Sequence, residues 1–139
     1  MSRTILLLVL LCFLSKTFGK TLTECDLVWE LRKQSIPEEQ IKDWVCLVNA
    51  ASSRQTDLVG PPGPDGSKDY GLYQISDRYW CSTADEPGQG CKVRCKDLLR
   101  DDITEQIQCS KTIYAVHGFE AWFGWAEKCK GRTLPDIQC

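Results

Sequence analysis

The sequence predicts a small α+β domain that is cross-linked by four disulfides. Three observations lead to this fold class. Apolar residues recur at helical spacing in several segments, one short aromatic and β-branched run follows a turn, and an even set of cysteines lies behind a secretory-type leader. The set consists of Cys25, Cys46, Cys81, Cys91, Cys95, Cys109, Cys129 and Cys139. The count and spacing of these cysteines leave their pairing open.

Residues 1–19 have the layout of a cleavable signal peptide. Arg3 is followed by an apolar run over residues 5–14 and by small residues near Gly19. The run is shorter than the roughly 20 apolar residues that a membrane-spanning helix needs, which argues against a membrane anchor. We therefore expect residues 20–139 to form one secreted, extracellular domain.

The charge of this domain disfavours two classes of partner. Loss of Arg3 and Lys16 lowers the count of Lys and Arg from 17 to 15, against 19 Asp and Glu, which leaves a formal net charge of −4. Nucleic acids and anionic membrane surfaces attract clustered positive charge. We expect a monomer with neither kind of partner.

Two helices are predicted in the first third of the domain. Residues 23–34 have an apolar face, and Thr23 is suited to cap their first turn. Pro37 suits the first turn of a second helix, because its fixed φ is helical and its missing N–H is not needed there. The apolar positions of that helix are Ile41, Trp44, Val45 and Val48.

A turn-rich loop and one short strand follow. Residues 60–67 read GPPGPDGS, and the dipeptide Asp65-Gly66 favours a turn. Residues 70–75 are aromatic and β-branched enough for a strand, so a small hairpin or sheet is expected here.

Two further helices are predicted in the last third. Asp101 or Asp102 can cap a third helix that contains Ile103 and Ile107. A fourth helix is expected after Gly118, with a buried stripe at helical spacing. The stripe consists of Trp122, Trp125, Ala126 and Cys129.

Several motifs together resemble the c-type lysozyme and α-lactalbumin superfamily across residues 20–139. The run DGSKDYGLYQI over residues 65–75, followed by RYWC over residues 78–81, is the most specific of them, and Trp44-Val45-Cys46 is another. The resemblance implies a helical lobe and a small β-lobe with a cleft between them. The disulfides it implies are Cys25–Cys139, Cys46–Cys129, Cys81–Cys95 and Cys91–Cys109.

The resemblance also implies hydrolysis of β-1,4 glycosidic bonds, for which one carboxyl group is missing. Such enzymes need a protonated acid and an ionised carboxylate, a division of labour established on lysozymes themselves. Asp69 matches the carboxylate, but the acid position, five residues after Cys46, is Ala51. The hydroxyl of the neighbouring Ser52 is far too weak an acid to replace it.

The loop before Asp69 departs from the family as well. Lysozymes often have asparagines there that hydrogen-bond to this aspartate and to sugar, whereas this chain has prolines over residues 60–64. Proline has no backbone N–H to donate. We expect fewer donors around the Asp69 carboxylate.

Other positions match the sugar-binding residues of the family. Tyr79, Trp80 and Trp122 match aromatic positions, and Gln74 and the backbone of Ala121 match polar ones. Aromatic rings pack against sugar C–H faces, although the same residues could simply be part of the core. We assign Trp44 and Trp125 to the core.

No metal or cofactor is expected. Lactalbumins bind calcium in the loop that corresponds to residues 96–106, but two ligand positions fall on Arg100 and Gln106, and a cation beside Ca²⁺ is repulsive. Asp102 and Glu105 are better interpreted as helix-terminal residues. His117 lacks ligand partners and is expected in a solvated loop or in the core.

These observations favour a catalytically inactive protein, a pseudoenzyme that binds N-acetylglucosamine-containing glycans of the peptidoglycan or chitin type. One alternative is an active or weakly active lysozyme in antibacterial innate immunity or digestion. Another is a role in binding a partner protein, as in lactalbumin.

Overall fold

The structure is a computed structural model in which residues 20–139 are described. The predicted signal peptide, residues 1–19, lies outside the described residues. The described chain has four α-helices, three 3₁₀ helices and two small sheets, so the predicted α+β class is confirmed. No helix within these residues is long and apolar enough to cross a bilayer.

The first two helices follow the sequence signals. Helix α1 spans Glu24–Lys33, and the Thr23 hydroxyl accepts a hydrogen bond from the Asp26 backbone N–H at 3.1 Å, as predicted for a cap. Helix α2 spans Ile41–Ser52. It is preceded by a 3₁₀ turn over Glu38–Gln40 that directly follows Pro37, so the chain enters the helix in two steps.

The predicted strand over residues 70–75 is wrong, because this run is itself a hairpin. Strand β1, Asp69–Tyr70, pairs antiparallel with β2, Ile75–Ser76, and the chain reverses over residues 71–74. Gly71 permits the reversal because its φ is +75°, and an added Cβ would lie 2.2 Å from the Gln106 side-chain oxygen. A separate bridge pairs Val59 with Tyr70.

A second small sheet lies beside the hairpin. Strand β3, Cys81–Ser82, pairs in parallel with β4, Val93–Arg94, and a 3₁₀ helix over Cys95–Leu99 follows. These two sheets and the loops between them form the β-lobe.

The third helix lacks the predicted acidic N-cap. Helix α3 spans Thr104–His117, and its N-cap residue is Ile103, which was expected inside the helix. Asp102 lies just before this position, and its carboxylate accepts from the Thr104 N–H at 3.0 Å.

The fourth helix is shorter than predicted. A 3₁₀ turn covers Gly118–Ala121, and helix α4 starts only at Phe123 and ends at Lys128. Trp122 has extended backbone between the two, which breaks the helical spacing of the predicted stripe. Trp122 and Cys129 are buried, whereas Trp125 and Ala126 are only half-buried.

The four disulfides have the pairing that the family resemblance implied. Two of them tie the helical lobe together, and two hold the loops of the β-lobe against each other and against α3. The pairs are Cys25–Cys139, Cys46–Cys129, Cys81–Cys95 and Cys91–Cys109.

Buried Gln106 links α3 to the β-lobe. Its side chain is completely buried, and its oxygen accepts from the Leu72 backbone N–H at 2.7 Å. Its amide nitrogen donates to the Thr56 carbonyl at 3.2 Å. One side chain therefore satisfies two backbone groups that water cannot reach.

Replacing Gln106 by leucine is expected to lower the free energy of unfolding by about 2–4 kcal/mol. The change leaves the Leu72 N–H and the Thr56 carbonyl unpaired, and each buried unpaired group costs about 1–3 kcal/mol. Urea unfolding with the disulfides intact measures the loss. The matched control is Gln108→Leu on the exposed face of the same helix, expected to stay within about 0.5 kcal/mol. Equal losses in both variants would contradict this role.

Candidate functional site

A cavity of about 510 Å³ lies between the helical lobe and the β-lobe. The hairpin and the stretch before Cys81 form one wall. Helix α2, helix α3 and the segment around α4 form the other. All seven residues singled out in the sequence line this cavity, namely Ala51, Asp69, Gln74, Tyr79, Trp80, Ala121 and Trp122. The fold thus brings them together, while their roles in binding remain predictions.

The carboxylate of Asp69 is unpaired in this cavity. Asp69 opens β1 and is half-buried, and no hydrogen bond reaches its carboxylate from any residue between 20 and 139. Burial raises the pKa of Asp69, and the negative charges of Asp77 and Asp65 raise it further. The two neighbouring acids have partners of their own, since Tyr70 donates to Asp77 and Arg78 pairs with Asp65.

The facing wall carries a methyl group where an acid would be needed. Ala51 lies in the last turn of α2 and lines the cavity. Ser52 does not substitute for it, because its side chain is buried and its hydroxyl donates to the Val48 carbonyl at 3.2 Å. Among the cavity-lining residues that the structure describes, Asp69 is the only one with a charged side chain.

The proline-rich loop leaves Asp69 without donors, as the sequence predicts. Gly60 donates its backbone N–H to the Asp69 carbonyl at 2.9 Å, which is a strand-like contact and not one to the carboxylate. The backbone of Gly63 is likewise used within the loop, where it donates to the Ser67 carbonyl at 2.8 Å. The loop therefore supports the strand but does not stabilise the charge of Asp69.

Two aromatic residues of the β-lobe are held in place at the cavity edge. Tyr79 is 58% exposed, and the Arg78 guanidinium lies 5.1 Å from its ring centroid. Trp80 is half-buried and packs so closely on Gly90 that a Cβ there would lie 2.5 Å from the indole ring. Both rings thus have surface at the cavity edge that a ligand can contact.

Trp122 and Gln74 have their polar groups occupied. The Trp122 indole N–H donates to the Tyr73 carbonyl at 2.9 Å, so it cannot donate to a sugar hydroxyl as well. The amide nitrogen of Gln74 donates to the carbonyls of Leu58 and Gly71, both at 3.0 Å. These two residues shape the cavity, and their hydrogen-bond donors serve the fold.

Two further aromatic residues line the cavity that the sequence interpretation missed. Trp125, assigned to the core, packs against the core and also lines the cavity, and its N–H donates to Asp43 at 2.9 Å. Phe123 lines it as well and is 80% exposed. The sequence signal for this arrangement was Gly124, which lies between them. A Cβ at Gly124 would lie 3.3 Å from the Ala50 Cβ, so the glycine lets this segment approach α2 closely.

The loop that corresponds to the lactalbumin calcium site is held by internal contacts. Arg100 pairs with Asp97 at 2.7 Å, and Gln106 is the buried link described above. His117 ends α3 and is exposed, with its ring 6.0 Å from that of Trp80, so it lies neither in a loop nor in the core.

Comparison with known proteins gives consistent matches. The profile of the C-type lysozyme/alpha-lactalbumin family matches residues 20–139. A protein of Bombyx mori named lysozyme is 52% identical over 130 residues, which cover 94% of this chain and 92% of that protein. Lysozymes of Galleria mellonella and Hyalophora cecropia are 49% and 45% identical, and the matches cover 85% and 99% of this chain and 98% of each relative.

Replacing Asp69 by asparagine is expected to stabilise the protein at neutral pH. Folding raises the pKa of Asp69, so the folded protein favours the protonated carboxyl over the ionised one. The free energy of unfolding of the wild type therefore falls as pH rises through the folded pKa of Asp69, and asparagine avoids this loss. The difference between variant and wild type should vanish in strong acid, where the carboxyl is protonated in both states. Thermal unfolding across the acid range measures it.

The control for this prediction has the opposite sign. Hydrogen bonds from Ser67 and the charge of Arg78 lower the pKa of Asp65, so Asp65→Asn should destabilise the protein at neutral pH and lose that effect in acid. If both variants shift stability in the same direction at neutral pH, the assignment of Asp69 is wrong.

Proposed function

Because the chain belongs to the C-type lysozyme/alpha-lactalbumin family, we propose that it is a secreted protein that binds N-acetylglucosamine-containing glycans without cleaving them. The proposed ligands are of the peptidoglycan or chitin type and occupy the cavity between the lobes. The observation that carries the proposal is Ala51, which presents a methyl group on the wall where hydrolysis requires a proton donor.

The missing acid bears directly on turnover. A glycosidic leaving oxygen is a poor leaving group until it is protonated, and a positioned general acid contributes about 10²–10⁴-fold to the rate. The cavity offers Asp69 as its only ionisable carboxyl among the described lining residues, and one group cannot be both proton donor and ionised stabiliser. The described cavity therefore supplies only one of the two carboxyl groups that cleavage of a glycosidic bond requires.

Binding does not depend on the acid. The cavity volume of about 510 Å³ lies within the usual range of roughly 300–1,000 Å³ for small-ligand sites. Tyr79 and Trp80 present ring faces at the edge, where sugar C–H faces can pack on them. Secretion would place the protein where cell walls and chitin are found, and the four disulfides are typical of an oxidising compartment.

The alternative is an active lysozyme with a role in defence or digestion. The names of the relatives favour it, since proteins about half identical to this chain are called lysozymes. Retention of Asp69, the counterpart of the ionised carboxylate, is consistent with it. The two functions differ in one measurable property, the turnover of a cell-wall substrate.

The native chain is expected to show no hydrolysis of labelled peptidoglycan above the level of its Ala51→Gln variant. Ala51→Glu is expected to gain about 10²-fold or more, because it restores a carboxylic acid on the wall facing Asp69. The gain should remain below the upper limit of about 10⁴-fold, since the loop over residues 60–64 supplies no donors to Asp69. Hydrolysis by the native chain that disappears in Asp69→Asn would establish the active-lysozyme alternative.

Chitotetraose is expected to quench or shift the tryptophan fluorescence of the native chain. Trp80→Ala should weaken binding about tenfold, since loss of one aromatic contact typically costs more than 1 kcal/mol. Trp29→Ala is the matched control, because Trp29 is 57% exposed on α1 and does not line the cavity. A flat titration up to millimolar sugar, confirmed by calorimetry, would rule the proposal out.

A further inference from the structure

The cavity holds one negative charge that nothing in the described chain neutralises. The carboxylate of Asp69 accepts no hydrogen bond from residues 20–139, and only the acids Asp77 and Asp65 act on it electrostatically, both against ionisation. Arg78, a base on the same lobe, is engaged with Asp65 at 2.7 Å and lies over the Tyr79 ring.

An ionised carboxylate that is half-buried and unpaired is energetically unfavourable, and a positively charged ligand can reduce this cost. A half-buried ionised group without a partner retains part of its desolvation cost. A ligand cation cancels the charge and donates hydrogen bonds that are about twice as strong as those between neutral groups. Aromatic rings in the same cavity add to this preference, because their faces attract cations. The described rings that line the cavity are Tyr79, Trp80, Trp122, Phe123 and Trp125.

We propose that the cavity selects partially N-deacetylated glycans, in which the sugar beside Asp69 carries a free ammonium group in place of the N-acetyl group. This inference rests on the proposed glycan-binding function and specifies the ligand of the same site. The ammonium group donates up to three hydrogen bonds and carries the charge that matches the cavity. An acetylated sugar offers one neutral amide N–H at that position and leaves the carboxylate charge uncompensated.

The wall opposite Asp69 reinforces this selection. Ala50, Ala51 and Gly124 present only methyl groups and backbone there, so the described residues of that wall contain no base that would compete for the carboxylate. They also contain no second acid that would change the charge match. The described cavity-lining residues therefore carry one negative charge, which matches the one positive charge of an ammonium group on the ligand.

The test uses five tetrasaccharides, fully acetylated chitotetraose and the four isomers in which one of its sugars is glucosamine. Calorimetric titrations are made at low salt and at about pH 6, where an amine is protonated. We expect one isomer to bind the native protein about tenfold more tightly than chitotetraose, the gain of one charge-assisted hydrogen bond. In Asp69→Asn this preference should fall below twofold.

The matched control is Asp85→Asn, which changes the net charge equally at a side chain that is 98% exposed. It should retain the preference of the native protein. A salt series on the native protein gives a second readout that needs no variant, since the preference should shrink as salt rises from about 0.02 to about 0.5 M.

The outcomes separate the inference from the function on which it rests. Equal binding of all five oligomers, an equal gain for all four isomers, or a preference that survives Asp69→Asn would overturn the inference and leave glycan binding intact. An absence of binding by every oligomer would overturn both. A single preferred isomer whose advantage is lost only in Asp69→Asn supports the inference.

Discussion

The hydrogen bond from the Trp122 indole to the Tyr73 carbonyl joins the two lobes, and the cavity depends on it. Tyr73 lies in the turn of the hairpin and is completely buried, and Trp44 is only 1% exposed. The ring of Trp44 meets those of Tyr73 and Trp122 edge-on, at 5.9 and 5.8 Å between centroids. A buried hydrogen bond inside an aromatic cluster is costly to break, so the hairpin has little freedom to move against the helices.

This anchoring also positions the residues on the two sides of the cavity. Ala51 lies on α2 on the same side as Trp44 and Val48, and these two buried side chains fix the helix in the core. Asp69 is likewise fixed by the backbone pairing of β1 with β2 and by the Gly60 N–H to its carbonyl.

The electrostatic consequence is a change in what the cavity favours. With an acid and a carboxylate facing each other, a site can stabilise charge that develops during bond cleavage. When only the carboxylate is present, its charge acts on the bound ligand itself and not on a transition state of bond cleavage. Under the proposed function, Asp69 would select among ligands, and the aromatic rings would supply contact area that is independent of charge.

Local signals predicted the parts of the fold that depend on a few neighbouring residues. The capping of α1 by Thr23 was predicted this way, since it involves residues within one turn of the helix. Family resemblance supplied the disulfide pairs and the position of Ala51. A small hairpin or sheet was expected near residues 70–75, but the chain reversal inside this run was not, because the Gly71 turn is fitted to Gln106, which is distant in sequence.

The amino-acid sequence by itself determined which groups are present, above all Asp69 without an acid at position 51, and this follows from residue identity. Only the tertiary structure decided what those groups can do. The indole N–H of Trp122 is occupied, Trp125 and Phe123 face the cavity, and the Asp69 carboxylate has no partner among the described residues. Each of these properties depends on contacts between distant segments, which spacing along the chain does not specify.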